Sequence, residues 1–551
     1  MLTYQFKLYQ MKKLLALLTF FGLLFISCSD DDSEIITTPP PEPIVYTSGT
    51  ADFSNYVAVG NSITAGYSDA ALFIDGQTAS YPNMMADNFA LAGGGDFTIP
   101  FMADNLGGAT LGGQPILGNR LILSFASGSP APVPVSGQGT TEISNVLTGP
   151  FKNMGVPGAK SFHLAAPGYG NVAGVATGQA NPYYARFASS GSATVIGDAA
   201  AQNPSFFSLW IGNNDVLGFA ASGGDGVDQT GNLDPTSYGG NDITDPNVFA
   251  SVYNGLLQAL TANGADGVVV NLPDVNALPY FTTVPFKPLD PTNPAFGPQI
   301  PLLNSIFGSL NQIYTAVGQP ERIVIFSESE ASAVVIRDEN LADLSATIAG
   351  ALLSDLPTFE AFIAQFGLPP QAATLVANLL GSTYGQSRQA TEADLIVLTS
   401  SSVIGTVNTD ALQSLVGQGL SPELAGQFSV EGVSLPLEDK WVLTPEEQSA
   451  VEVATTAYNQ TIEALATQYD LGFVDVNSYQ NVIANEGAPL SDGSIVTDAF
   501  ATGGGFSLDG VHPAPRGAAL LANFIIQVIN TKYGSNLPGV DPLDYTGLYL
   551  Q

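Results

Sequence analysis

The chain has 551 residues, of which 45% are hydrophobic and 11% charged, and 49 acidic against 14 basic residues give a net charge of −35 at pH 7. This apolar fraction is enough to bury a large core, so the composition excludes a disordered acidic chain. The charge balance argues against nucleic acid as a partner, because phosphate binding requires clustered lysine and arginine. The same negative field disfavours anionic substrates.

The amino-terminal segment predicts export. Lys12 and Lys13 precede an apolar run over residues 14–26, which is too short to span a bilayer but fits the core of a signal peptide. The run ends in Phe25-Ile26-Ser27-Cys28, which resembles a bacterial lipobox. Cys28 is the only cysteine of the chain, so an internal disulfide is excluded. The alternative is a plain signal peptide with an incidental cysteine.

The residues after Cys28 extend this interpretation. The acidic run 29–34 resembles the tag that sends lipoproteins of the Bacteroidota to the cell surface, and the proline-rich residues 37–43 predict a stiff spacer. Two or more acyl chains on one cysteine give stable membrane anchoring. We therefore expect a lipoprotein signal peptide over residues 1–28, a linker over residues 29–50, and an outer-membrane lipoprotein exposed at the cell surface.

The first predicted strand of the following domain leads directly to a serine. Residues 56–60 form a short apolar run that ends in Gly60-Asn61-Ser62, and a helix-compatible segment continues towards Ala71. Ligands in open α/β sheets bind outside the carboxyl ends of the strands, so this strand would present the Ser62 hydroxyl to a substrate. A Gly-x-Ser turn alone is more often ordinary turn chemistry.

Helices and strands alternate along the rest of the chain. The apolar patterns and caps predict helices over about residues 81–90, 246–263, 302–317, 444–469 and 516–533, the fourth opened by a capping box at Thr444. Predicted strands cover residues 119–123, 206–211, 267–272, 322–326, 395–399 and 473–476, the last taken as a central strand. This alternation favours a mostly parallel sheet with helices on both faces.

One apolar helical stretch, residues 339–380, interrupts this alternation and predicts an insert over about residues 335–390. Two interpretations are open: a lid or acyl-chain wall over the site, or plain packing on the scaffold. An acidic tract containing Asp225, Asp228, Asn232 and Asp234 offers calcium-type ligands, but its spacing does not match an EF-hand loop and favours a solvated loop.

Three further stretches carry residues suited to chemistry. Residues 153–159 are predicted as a loop whose glycines let the backbone approach a ligand, and Gly212-Asn213-Asn214-Asp215 ends a predicted strand. The third stretch is Asp509-Gly510-Val511-His512. An aspartate three residues before a histidine can bind its Nδ1–H and leave Nε2 free to accept a hydroxyl proton. The alternative is a solvated turn aspartate and a surface histidine.

In this order, the four stretches resemble the motif blocks of the SGNH (GDSL-type) hydrolase family. The resemblance covers about residues 54–533 and implies a flavodoxin-like three-layer α/β/α fold with large loop and helical insertions. We assign that domain to residues 51–535 and a carboxyl-terminal tail to residues 536–551. One departure is Asn61, where the family usually has aspartate, which bears on tuning more than on activity. The chain has no Gly-x-Ser-x-Gly elbow, which counts against the α/β-hydrolase alternative.

The resemblance implies ester or thioester hydrolysis through an acyl-enzyme. Ser62 needs a base, either His512 or the only other histidine, His163, which we interpret as structural. Asp509 would orient the base, and the oxyanion hole would consist of the backbone N–H groups of Ser62 and Gly158 and the side-chain amide of Asn214.

We therefore expect a serine esterase or lipase that acts on neutral carboxylic esters, either lipid acyl esters or O-acetylated glycans. No metal or organic cofactor is implied. Two alternatives are a catalytically inactive SGNH-like lipoprotein that binds glycan at the cell surface and a structural lipoprotein whose motifs are accidental.

Overall fold

A five-stranded parallel sheet forms the centre of the computed structural model, which describes residues 44–126 and 130–550. Its strands are β1 Tyr56–Gly60, β2 Asn153–Gly155, β3 Phe206–Trp210, β4 Asp266–Val270 and β5 Gly472–Val474. Their spatial order is 2-1-3-4-5, and every neighbouring pair is parallel. The order reverses between β1 and β3, and ligands in open α/β sheets bind at such a switch point.

Helices precede, separate and follow these strands. The helices used below are α1 Ser62–Ala65, α2 Tyr81–Ala90, α3 Asn214–Ala221, α4 Pro246–Thr261, α5 Ile300–Ala316, α6 Ser345–Ser354, α7 Leu356–Ala364, α8 Ala373–Tyr384, α9 Pro445–Gln468, α10 Val476–Glu486 and α11 Pro515–Tyr533. Shorter α-helices cover Ile74–Thr78, Val172–Val175, Pro182–Ala185, Val195–Ala200, Pro279–Thr282, Thr409–Gly417 and Pro422–Gln427.

Both faces of the sheet are covered by helices. Successive side chains of a strand point to opposite faces, so Val57 and Val59 of β1 face one hydrophobic core while Tyr56 and Ala58 face another. Helices α4 and α9 contribute to the first core, and helices α2 and α11 contribute to the second. The protein is therefore mixed α/β, with an arrangement compatible with three α/β/α layers.

A third large core lies within residues 289–442 and contains buried side chains from α5, α6, α7 and α8. Helices α6 and α8 pack directly against each other. The predicted helical insert is thus part of a subassembly with its own hydrophobic centre. Both interpretations of the insert, as a lid and as plain packing on the scaffold, stay predictions.

Short antiparallel or mixed sheets lie outside the central sheet. Their strands are Ala109–Leu111, Gln114–Leu117, Leu121–Ser124, Ala131–Pro134, Thr141–Glu142, Val335–Arg337, Ser387–Gln389, Leu395–Ile396, Val442–Leu443, Ala488–Pro489 and Ile495–Val496. The strand predicted over residues 119–123 belongs to this group, because Leu121–Ser124 forms a two-stranded sheet with Ala131–Pro134 outside the central sheet.

The prediction of a strand over residues 322–326 was wrong. Arg322 ends a short 3-10 helix, and the backbone of Val324 and Phe326 bonds to asparagine side chains of α5 instead of to a strand. Asn311 donates to the Val324 carbonyl and accepts its N–H at 2.8 and 2.9 Å, and Asn304 does the same for Phe326. Two side chains thus replace a strand partner.

The loop predicted over residues 153–159 was wrong in its first three positions, which form the edge strand β2 beside β1. Gly155 lets the end of β2 approach helix α1 closely, since a Cβ there would lie 2.3 Å from the backbone nitrogen of Ala65. The helix expected towards Ala71 also ends early. Gly66 terminates α1 with φ +81°, a left-handed conformation that favours glycine.

Two further strand predictions were wrong in part. Only Leu395–Ile396 of residues 395–399 is a strand, and it pairs with Val442–Leu443 outside the central sheet. The strand predicted as central over residues 473–476 is β5, which lies at the edge. Its hydrogen-bonded neighbour is β4 alone.

The predicted signal peptide, Cys28 and most of the linker lie outside the described residues. From Tyr46 onwards the chain forms one compact unit. Among the described residues, no single helix is long and apolar enough to cross a membrane, and only the bent pair α6 and α7, at 96°, passes when counted together.

Candidate active site

The turn after β1 positions Ser62 at the carboxyl edge of the sheet. The Asn61 side chain caps α1 by accepting the Ile63 N–H at 3.2 Å, which makes Ser62 the first helical residue. A helix leaves its first N–H groups without intrahelical partners. Ser62 as a whole residue is 7% exposed, so it lies in a mostly covered position.

A histidine and an aspartate from the loop before α11 meet this serine. His512 Nε2 lies 2.8 Å from Ser62 Oγ, and His512 Nδ1 lies 3.0 Å from Asp509 Oδ2. Burial alone would raise the pKa of Asp509, but the His512 side chain and backbone N–H donors hold that pKa at about 2. A carboxylate that stays ionised fixes the Nδ1–H tautomer and leaves Nε2 to accept a proton.

A tight turn at Asp69–Ala70 holds the loop that carries this pair. The Ala70 N–H donates to Asp509 Oδ2 at 3.0 Å, the same oxygen that faces His512. Asp69 donates its N–H to Ser507 Oγ and accepts the Leu508 N–H at 2.9 Å. No sequence signal marks this turn in advance, because all three contacts use a backbone N–H of the turn or of the loop, which any residue type supplies.

The glycine stretch offers a backbone donor on the other side of the serine. Gly158 has φ +79° and an exposed backbone, and its N–H has no hydrogen-bond acceptor among the described residues. A Cβ at Gly158 would meet only Asn181 Nδ2, at an ordinary contact distance of 3.9 Å, so the left-handed backbone and not crowding favours glycine there.

The side chain of Asn214 lies beside this glycine stretch. Its Nδ2 donates to the Ala159 carbonyl at 2.9 Å, which leaves the second N–H of the amide without a partner in the described part of the chain. Ser62, Gly158 and Asn214 follow β1, β2 and β3, whose ends Gly60, Gly155 and Trp210 are aligned in register. The three donors therefore belong to the same edge of the sheet.

Two buried polar side chains fix the relative positions of these turns. Asn153 donates to the Thr64 carbonyl at 2.8 Å and so joins β2 to the serine turn. Asp215 accepts both the N–H and the hydroxyl of Ser161, at 2.8 and 2.7 Å. Burial raises the pKa of Asp215 against the lowering effect of these bonds.

The departure at Asn61 has a partner in the neighbouring turn. Asn61 Nδ2 donates to Asn213 Oδ1 at 2.8 Å, and both side chains are buried. A carboxylate at position 61 would face that oxygen, so the amide of Asn213 would have to turn its N–H₂ towards it. The asparagine before the serine is therefore matched to the asparagine after Gly212.

His163 takes no part in the relay. Its Nδ1 accepts the Lys160 N–H at 3.1 Å, and its ring stacks on Tyr169 at 4.6 Å. Burial and the nearby Lys160 cation lower the pKa of His163 to about 4, which keeps the ring neutral at pH 7. These contacts agree with the structural interpretation of His163.

The acidic tract discussed as a calcium site uses its oxygens within its own turns. Asp228 accepts from the backbone and hydroxyl of Thr230, and Asp234 does so from Thr236. Among the described residues, one carboxylate group could hold a metal ion by distance, with ligand atoms within 4.8 Å of one another: Glu339, Asp439 and Glu447. None of these three belongs to the tract.

Comparison with models of known protein families, with curated proteins and with solved structures finds no match to this chain. A serine hydroxyl, an imidazole and an ionised carboxylate stand in series, with unpaired amide donors at the same edge of the sheet. These are the groups that acyl transfer requires.

Proposed function

We propose that this protein is a serine hydrolase of the SGNH type that cleaves neutral carboxylic esters. The observation that carries the proposal is the continuous Ser62–His512–Asp509 relay, with separations of 2.8 and 3.0 Å. Nucleophile and base lie within hydrogen-bond reach, and a third group orients the base, as nucleophilic catalysis demands.

The proposed reaction has two halves. Ser62 Oγ attacks the ester carbonyl carbon while His512 Nε2 takes its proton, and the imidazolium then protonates the departing alcohol oxygen. A water molecule, deprotonated by His512, hydrolyses the acyl-enzyme. The N–H groups of Ser62 and Gly158 and the amide of Asn214 are assigned to the negative charge on the tetrahedral oxygen.

The finer fold assignment is part of the same proposal. Strand order 2-1-3-4-5 is that of flavodoxin-like sheets, and Ser62 and Asn214 flank the reversal between β1 and β3. Of the four stretches that resemble SGNH blocks, the first three contain or follow the end of a strand of this sheet. The fourth, Asp509–His512, precedes α11.

The proposed location and partners rest on the sequence. We propose a surface-exposed outer-membrane lipoprotein held by acyl chains on Cys28, with neutral lipid or acylated-glycan esters as substrates and without nucleic-acid partners. Incorporation of labelled palmitate into the wild-type protein but not into a Cys28→Ala variant would test the anchor.

The competing function is a catalytically inactive glycan-binding protein. A binding protein has no need for an imidazole within 2.8 Å of a serine hydroxyl or for a carboxylate whose pKa is held at about 2. These two features favour the hydrolase.

Hydrolysis of neutral p-nitrophenyl esters tests the proposal. We expect turnover by the wild-type protein and a loss of kcat by roughly 10³-fold or more in Ser62→Ala and His512→Ala, because residues of such a relay act as a unit. His163→Ala is the matched control and retains activity. Equal rates in wild type and Ser62→Ala would reject the proposed function.

A further inference from the structure

An apolar groove begins at the residues that flank the Ser62–His512 pair. Ile63 directly follows Ser62, and Val511 and Pro513 stand on either side of His512 in the chain, and all three line the groove. Ser62 and His512 themselves are not part of its wall, so the groove begins one residue along the chain from each reacting side chain.

From this end the groove extends over the carboxyl ends of β4 and β5. Leu278 after β4, Tyr479 and Ile483 of α10 and Leu520 of α11 form part of its wall. Neighbouring strands lie about 4.8 Å apart, so β4 and β5 stand roughly 10 and 14 Å from β1. That distance corresponds to several methylene groups in extended form.

The lining offers a ligand almost no hydrogen bonds. Of its side chains, Gln480 already exchanges two bonds with the backbone of Asp274, at 2.7 and 3.0 Å. Asp498 carries the only carboxylate of the lining, and its negative charge disfavours an anionic ligand. Ile63, Ile483 and Leu520 remain half-exposed, so water covers apolar surface that an apolar ligand would displace.

We infer that this groove binds the acyl chain of the ester substrate, and that the substrates are neutral esters of medium-chain carboxylic acids and not O-acetyl groups. The inference rests on the proposed function. An acetyl group bound at Ser62 is too short to enter the groove, whereas a longer chain covers its half-exposed wall.

Burial of each methylene group predicts about a fourfold gain in kcat/KM until the groove is filled. We expect kcat/KM for the hexanoyl ester of p-nitrophenol to exceed that for the acetyl ester by at least tenfold, after subtraction of each ester's spontaneous hydrolysis. Acetyl, butyryl, hexanoyl and octanoyl esters form the series.

Two variants on α10 test the location of the chain. Ile483→Trp fills the groove and lowers kcat/KM at least tenfold for the hexanoyl ester while the acetyl ester changes less than threefold. Val482→Trp is the matched control, because Val482 is the preceding residue, is 48% exposed and is not part of the groove wall. It keeps the wild-type preference. Ile483→Ala enlarges the groove and shifts the optimum to longer chains.

The outcomes separate the two proposals. Turnover with no preference for longer chains, or an Ile483→Trp variant that slows acetyl and hexanoyl esters equally, overturns the groove assignment and leaves the esterase intact. Absence of turnover with every ester, together with unlabelled Ser62 after fluorophosphonate treatment, overturns the proposed function and the groove assignment with it. The wild-type series decides the chain-length claim even if a variant fails to fold.

Discussion

Asp69 and Ala70 adopt φ of +51° and +62°, a left-handed region that aspartate enters readily but alanine only at a cost. The turn closes through two hydrogen bonds between Ser68 and Ala71, each of 3.0 Å. Both residues bind the Asp509–His512 loop. Strain at this point accords with a backbone shaped for the site, since such outliers persist where the surrounding contacts determine them.

Replacement of Asp69 by asparagine tests the electrostatics of this turn. Burial and the neighbouring Asp509 raise the pKa of Asp69 to about 6, against the opposing effects of the Leu508 N–H and the Arg120 cation. Because the folded pKa exceeds the unfolded value of about 3.9, ionisation of Asp69 lowers the stability of the folded protein as pH rises from about 4 through 6.

The difference in free energy of unfolding between Asp69→Asn and the wild type should therefore be more favourable to the variant at pH 8 than at pH 4, by up to about 3 kcal/mol. Urea denaturation at both pH values measures the difference. A variant effect that is the same at pH 4 and pH 8 would contradict a buried carboxyl with a raised pKa.

The proposed oxyanion donor Asn214 gives a second test at this scale. Asn214→Ala should lower kcat about 10²–10³-fold, because one preorganised donor is lost from the tetrahedral oxygen. The bond to the Ala159 carbonyl contributes only about 1 kcal/mol to stability, so the variant stays folded. A less than tenfold loss in kcat for a folded variant would remove Asn214 from the proposed oxyanion hole.

At the scale of elements, continuous apolar runs were sufficient to predict β1, β3 and β4, and caps were sufficient for α2 and α9. Glu447 accepts the Thr444 N–H at 2.7 Å, which is one of the two bonds of the predicted capping box, and Pro445 opens α9. These signals are local, so the chain displays them without its tertiary context.

The failures have a different physical origin. Whether residues 322–326 join a sheet depends on Asn304 and Asn311 of a separate helix, and periodicity cannot express that dependence. The Asp509–His512 spacing was readable because it is local. The support of that pair by Asp69 was not, because the contact joins residues 438 positions apart.

The asparagine pairing in the third core yields a prediction that also bears on the insert. Asn311→Leu leaves the N–H and carbonyl of buried Val324 unpaired, so the free energy of unfolding should fall by about 2–4 kcal/mol. Because α5 belongs to the third core, which also contains the insert, kcat/KM for a short ester should change less than twofold.

Asn378→Leu, at an exposed position of α8, is the matched control and should leave stability within about 0.5 kcal/mol of wild type. A large loss of activity in the folded Asn311→Leu variant would instead favour the lid interpretation of the insert.

At the scale of the whole molecule, a net charge of −35 means that ionisation of a further buried carboxyl lowers the stability of the fold, because like charges repel. Burial and the charges of Glu447 and Glu339 raise the pKa of Asp439 to about 7, against the Arg337 cation. Burial and the charge of Glu339 raise the pKa of Glu447 to about 7, against the hydrogen bonds from Thr444. Both groups remain largely protonated below neutrality in the folded protein.

Their raised pKa values predict a pH-dependent stability. The stability that these groups contribute is complete below their unfolded pKa of about 4 and is lost as pH rises through 7. Thermal denaturation should therefore show a falling Tm between pH 5 and pH 8, with a smaller fall in Glu447→Gln, which still offers an oxygen to the Thr444 N–H. An identical fall in both proteins would exclude Glu447 as a source.

The central claim is that Ser62 is a nucleophile activated by His512. Mass spectrometry of the protein after treatment with a fluorophosphonate tests it most directly, because only an activated serine reacts readily. The account predicts one adduct, on the peptide that carries Ser62, and its loss in His512→Ala. An unmodified Ser62, or an adduct on Ser62 that forms equally fast in His512→Ala, would contradict it.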